Sequence, residues 1–150
     1  MESIKKSVGS GLFQNYYVDD PKEKKLVIDV CEGGEKSCAL YVSRICLWYN
    51  LVRIPCVTVD SLLKEMKSSG WNQIPLSEAP YGAVVVWEPR AQQGRNLHRH
   101  VGFVVGTGRC VSHIALVRAP AEHDLFMIEV YGNKNSRRPQ AFYSHPFLIM

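Results

Sequence analysis

The chain has 150 residues, 46% hydrophobic and 21% charged, a composition that suits one soluble globular domain with a core of its own. Its formal charge of +4 is mildly basic and falls short of the clustered excess of a dedicated nucleic-acid binder. Five cysteines, an odd number with no C-x-x-C and no histidine pair at finger spacing, exclude a disulfide-stapled miniprotein and a zinc finger.

Residues 1–25 are polar and punctuated by Gly9, Gly11 and Pro21. They predict a loosely held lead-in, with Tyr16, Tyr17 and Val18 as a short edge segment, ahead of a single domain over residues 26–150. No apolar h-region follows Lys5 and Lys6, and no apolar run reaches the ~20 residues that span a bilayer. The chain therefore reads as cytoplasmic, with reduced thiols; an extracellular target would have to be reached by another route.

The apolar, β-branched residues 26–31 predict a short strand or a wall beside the next element, and Gly33-Gly34 then breaks the chain. From Ser37 the pattern turns helical. Ala39, Val42, Cys46 and Tyr49 share one face, and Tyr41, Ile45, Trp48 and Val52 share the adjacent one. That stripe is too wide for a surface helix, so the helix is expected to be mostly buried. A second helix is expected over residues 58–66, with Thr58 as N-cap, Asp60 in the first turn, Leu62, Leu63 and Met66 facing inward and Gly70 as the stop. Trp71 anchors its exit.

After Pro75 and Pro80 the pattern becomes that of strands: residues 83–87, 100–105, 109–114, 125–131 and 141–150. Polar loops occupy residues 88–97 and 115–124, Thr107-Gly108 makes a hairpin turn, and residues 132–140 form a basic turn carrying Lys134, Arg137 and Arg138. Helices first and a mostly antiparallel sheet afterwards predict an α+β domain.

Three positions carry candidate chemistry. Cys38 falls on the first turn of the buried helix, where unpaired N–H groups and the helix dipole favour a thiolate. Cys31, Cys46, Cys56 and Cys110 lie in or beside apolar runs and read as inert core thiols. His100 opens a strand after a polar loop, and Gly102 leaves room on its face; His98 shares its parity and is the rival base. In a hairpin turning at Thr107-Gly108, residues whose numbers sum to about 215 face each other, which sets His113 near Gly102 and within reach of His100. There it would accept the Nδ1–H of the base and hold its tautomer.

The succession S-C-A-L-Y-V-S, a second helix ending in G-W, then G-A-V-V-V-W, H-V-G-F-V-V-G and V-S-H resembles the NlpC/P60 and CHAP superfamily of papain-like cysteine peptidases and amidases. The likeness covers residues 26–148. It implies a papain-like (NlpC/P60-like) fold with N-terminal helices packed on the sheet, Cys38 as nucleophile, His100 as base and His113 as the third polar residue. It also implies cleavage of an amide in peptidoglycan or a related peptide, either at a D-amino acid or between peptide and sugar. No cofactor, metal, nucleic-acid partner or membrane is expected, and a monomer is. Ser37 stands where the family has Asp, Ala83 replaces the Asp of its Gly-Asp pair, and H-R-H precedes the histidine strand, all marks of a divergent branch. Arg90, Arg95 and Arg99 before His100 would suit an anionic wall polymer or a solvated rim equally. The alternatives are a catalytically silent papain-like module binding cell wall or another anionic polymer, and a nucleic-acid-binding domain. The latter would need aromatics interleaved with basic residues on an exposed sheet face.

Overall fold

Four consecutive apolar residues, 84–87, are all fully buried, which requires a strand covered on both faces. Val84 and Val86 point into a core shared with the helices, while Val85 and Trp87 point into a second core on the opposite face. This strand, β4 (Val84–Arg90), lies inside a six-stranded sheet. The other members are β3 (Asn72–Ile74), β5 (His98–Gly106), β6 (Arg109–Ile114), β7 (Ala119–Asp124) and β8 (Pro139–Ser144), in the order β3-β8-β4-β5-β6-β7. A two-stranded ribbon, β1 (Tyr17–Asp19) with β2 (Val27–Asp29), stands apart from it. Pairings between described strands are antiparallel throughout, so the domain is α+β with an antiparallel sheet. The computed structural model describes residues 1–19, 22, 27–34, 36–90 and 98–149; Arg95 and the expected 88–97 loop beyond Arg90 lie outside them.

Four α-helices are described: α1 (Ser3–Lys6), α2 (Cys38–Trp48), α3 (Val59–Ser68) and α4 (Ile128–Tyr131). α2 is the buried helix expected from its double apolar face, packed with Tyr41, Val42 and Ile45 against Val101, Phe103 and Val111 of the sheet. Trp48, at its far end, turns out to solvent. α3 is capped as expected: Thr58 Oγ1 accepts the Ser61 N–H at 3.1 Å, and Ser61 Oγ reciprocates on the Thr58 N–H at 3.4 Å. Trp71 is buried and donates its Nε1–H to the Leu51 carbonyl at 2.8 Å, closing the exit from α3. No helix among the described residues is long and apolar enough to cross a membrane.

Three expectations are corrected. The N-terminal lead-in docks rather than hanging loose: Ile4 and Phe13 are fully buried in the helix-side core, and Phe13 meets Tyr41 edge-on at 4.9 Å. Residues 119–124, expected in a loop, form the edge strand β7. The expected strand over residues 125–131 is broken by Asp124, whose carboxylate accepts the N–H groups of Phe126, Ile128 and Glu129 and starts the short α4.

A fourth correction is one of register. The β5–β6 hairpin pairs Gly102 with Ser112, Phe103 with Val111 and Val104 with Cys110. That is one residue off the expected pairing, and a slip of one moves each side chain to the other face. Ser112, not His113, therefore shares a face with Gly102 and His100. Gly102 is sterically required there: an added Cβ would lie 2.7 Å from Ser112 Cβ, 2.7 Å from the Val111 carbonyl oxygen and 3.1 Å from the Trp87 ring. Gly102→Ala is expected to destabilise the fold by about 1–3 kcal/mol in urea unfolding, through overpacking against backbone. Gly106→Ala, whose Cβ would meet nothing closer than 3.9 Å, should leave the midpoint nearly unchanged.

Candidate active site

The approach to α2 is built by one carboxylate. Asp29 Oδ1 accepts the N–H groups of Tyr16 (2.9 Å) and Cys31 (3.0 Å), and Oδ2 accepts those of Gly33 (2.8 Å) and the Asn15 side chain (2.7 Å). Desolvation works against the charge, but these bonds together hold the carboxyl below its ordinary value. Gly34 then turns the chain with φ of 102°, a left-handed conformation that admits glycine readily. The turn delivers Ser37 as the N-cap of α2 and Cys38 as its first residue. Ser37 makes no side-chain cap, and its Oγ is buried without a hydrogen-bond partner. The first N–H groups of α2 are thus left for another acceptor.

Cys38 is half-buried and lines a cleft of about 830 Å³ together with His98, His100, His113, Tyr131 and Arg137. Burial pushes its thiol above the ordinary value, against the N–H groups of Val101 and Ala39 and the Arg137 guanidinium, which favour the thiolate. The helix start alone would favour a thiolate; here desolvation outweighs it, and the resting sulfur is a thiol. The five cysteines are all free, and the other four are buried with thiols pushed up by desolvation, Cys110 to about 12.

His100 lies in a chain of hydrogen bonds that runs across the sheet. His100 Nε2 is 2.8 Å from Ser112 Oγ, Ser112 Oγ is 2.7 Å from His123 Nε2, and His123 Nδ1 is 2.8 Å from the Asp124 carbonyl oxygen. A carbonyl only accepts, so His123 carries its proton on Nδ1 and, being neutral, accepts at Nε2. Ser112 must then donate to His123 and accept from His100 Nε2–H. The one lone pair left over is on His100 Nδ1. Trp87 supports the chain from below, its ring 5.3 Å from that of His100 and 5.6 Å from that of His123, while its own Nε1–H donates to the Leu125 carbonyl at 2.6 Å. Burial, then Arg137, His123 and His113, hold His100 well below the ordinary imidazole value, so it is neutral at pH 7.

The expected role of His113 is corrected. It lines the same cleft but sits on the α2 face of the sheet, its ring 6.4 Å from Tyr41, with neither ring nitrogen hydrogen-bonded. Ser112 orients His100 instead, because of the register. His98 is exposed at the start of β5 and makes no side-chain hydrogen bond among the described residues; it has none of the support given to His100. Ser112, His123 and Arg137 were not among the expected site residues. Ser112 stood in the quoted V-S-H motif, one place from the residue chosen; His123 lay in a predicted loop and Arg137 in a predicted turn. Arg90 and Arg99 are paired with Glu88 and Asp60. No group of three His, Cys, Asp or Glu side chains converges as a metal site among the described residues. The sequence matches no protein-family model and no curated protein.

His113 is pushed by burial from 6.5 to about 4. The unfolded chain therefore takes up a proton near pH 6.5 that the folded chain refuses until about pH 4, and stability falls as pH drops through that window. The loss from His113 alone is about 3 kcal/mol. Urea unfolding from pH 7 to pH 4 is expected to show a steep acid-side decline that His113→Leu makes shallower by about that amount.

Proposed function

We propose that the protein is a papain-like cysteine hydrolase of NlpC/P60 type that cleaves an amide bond in peptidoglycan or a related peptide, with Cys38 as nucleophile and His100 as base. One observation carries the reading: the hydrogen-bond chain from the Asp124 carbonyl through His123 and Ser112 leaves a single basic lone pair, on His100 Nδ1, in the cleft that holds the Cys38 thiol at a helix start. A buried cysteine without that neighbour would be an inert core residue.

The resting pair is neutral on both sides, since burial raises the thiol and lowers the imidazole. Proton transfer therefore accompanies attack rather than preceding it. Cys38 Sγ forms a bond to the amide carbonyl carbon as its proton passes to His100 Nδ1, and the carbonyl π pair moves onto oxygen. The uncapped N–H groups at the start of α2 face the developing oxyanion. As the oxyanion collapses, the C–N bond breaks and His100 returns the proton to the departing amine, leaving a thioester on Cys38. Water then attacks the thioester carbonyl, giving its proton to His100, which passes it to the departing Cys38 thiolate. Ser112, held by His123, keeps the imidazole from turning and spreads the charge of the imidazolium.

The test is release of free amino groups from purified peptidoglycan and from its stem peptides. Cys38→Ala is expected to abolish release, His100→Ala to reduce it by about 10²- to 10⁴-fold, and Ser112→Ala by about tenfold or more. His98→Ala should stay near wild type. Binding of peptidoglycan without turnover by the wild-type protein would replace the hydrolase with a silent wall-binding module.

Independently of substrate, iodoacetamide should label Cys38 before the other four thiols. The rate is expected to rise with pH through the alkaline range, about tenfold per unit, because the reactive form is the thiolate of a thiol with a raised value. Uniform labelling of all five would remove the case for an activated sulfur.

A further inference from the structure

Arg137 is the group in the cleft that the chemistry above does not use. It is 5% exposed, held from behind by its own backbone N–H donating to the Phe126 carbonyl at 2.9 Å. Its side chain makes a single hydrogen bond among the described residues, Nη1 to the His98 carbonyl at a long 3.4 Å, and no ion pair. Arginines less buried than Arg137 do form ion pairs among the described residues: Arg53 with Glu65, Arg90 with Glu88, Arg99 with Asp60 and Arg109 with Glu122 and Glu129. This inverts the usual rule, in which a charge removed from water is given a counter-ion. Among the described residues that one long bond is all that engages the guanidinium's five N–H donors, a fork whose geometry matches a carboxylate.

A buried polar side chain without a hydrogen-bond partner among the described residues lines the same cleft. His113 is 2% exposed, and both its ring nitrogens lack a hydrogen-bond partner. Buried polar groups left open in this way mark places where a ligand, not the protein, completes the bonding. Lys36 and Arg99 also line the cleft but are paired with Glu32 and Asp60, so among the described residues the free cationic capacity is one guanidinium fork. One fork, with one positive charge and two parallel N–H donors, matches the two coplanar oxygens and single negative charge of a carboxylate.

We propose that Arg137 is a carboxylate clamp, so that the hydrolase reading, on which this rests, narrows to substrates whose acyl portion carries a free carboxylate close to the scissile carbonyl. The guanidinium docks that carboxylate beside Cys38, and His113 offers the second polar contact. Arg137 lines the same cleft as Cys38 and His100.

Two alkylating reagents of nearly equal size separate this role from a simple effect on the thiol. Iodoacetate carries a carboxylate and iodoacetamide does not; both attack the same sulfur, and labelling of the Cys38 peptide is followed by mass spectrometry. Wild-type protein is expected to react with iodoacetate in a saturable manner. Arg137→Gln is expected to lower the iodoacetate-to-iodoacetamide rate ratio by about tenfold or more. Arg137→Lys, which keeps the charge but loses the fork, should fall between them. If both rates drop together, Arg137 serves only the thiol's acidity, and the clamp is overturned. In the wild-type protein, which needs no variant to fold, acetate should slow iodoacetamide labelling and acetamide should not. Equal behaviour of the two competitors also overturns the clamp. A Cys38 that neither reagent labels, even at alkaline pH, would instead bring down the hydrolase reading, and the clamp with it.

Discussion

The structure turns on the close approach of three residues: Gly102, Ser112 and Trp87. Strands β5 and β6 come together where Gly102 has no side chain, and the space is filled by Ser112 from one side and the Trp87 ring from below. Everything chemical on that face follows from this contact. Ser112 can reach both His100 and His123 only because nothing projects from Gly102 between them, and the Trp87 ring, tilted 40° and 50° to the two imidazoles, lies beside both with its indole N–H tied to the Leu125 carbonyl. A methyl group at position 102 would wedge the hairpin apart at the point where the relay crosses it.

The cleft is made by two faces of one sheet meeting at the end of β5. His100, Ser112 and His123 belong to the face that also holds Val85, Trp87 and Cys110; Cys38, Tyr41 and His113 belong to the face covered by α2. Val101, between His100 and Gly102, faces α2, and its backbone N–H is among the groups that favour the Cys38 thiolate. The backbone of one strand thus brings a sulfur and an imidazole from opposite sides into one space. Such an arrangement needs the strand end, because in the middle of a sheet the two faces are separated by the full thickness of the backbone layer.

Electrostatically the cleft is poor in negative charge. Buried His113 and His123 and half-buried His100 are held neutral by desolvation, and nearly buried Arg137 adds a cation that no carboxylate among the described residues pairs with. Each of these is unfavourable for the folded protein in isolation. Their coincidence in one cleft sets Cys38 apart from the other four cysteines, none of which lines it.

The amino-acid pattern by itself determined the buried helix with Cys38 at its head, the capped second helix, the central strand and the order of helices before sheet, because these rest on local periodicity, capping and runs of apolar residues. It also pointed to His100, through a strand opening after a loop with a glycine two residues on. The sequence alone did not decide which polar residue supports that histidine. The choice between Ser112 and His113 depends on a one-residue register, which shifts at an irregularity between Val104 and Gly106: Gly106 still pairs with Arg109 as the turn requires, while Val104 pairs with Cys110 and Gly102 with Ser112. His123 and Arg137 were likewise out of reach: one sits on a strand whose pattern, A-P-A-E-H-D, lacks alternation, and the other on a turn, and both acquire a role only when the fold buries them beside residues distant in sequence. Local pattern specifies elements; the charge state and partners of a buried side chain are set by what the tertiary structure places around it.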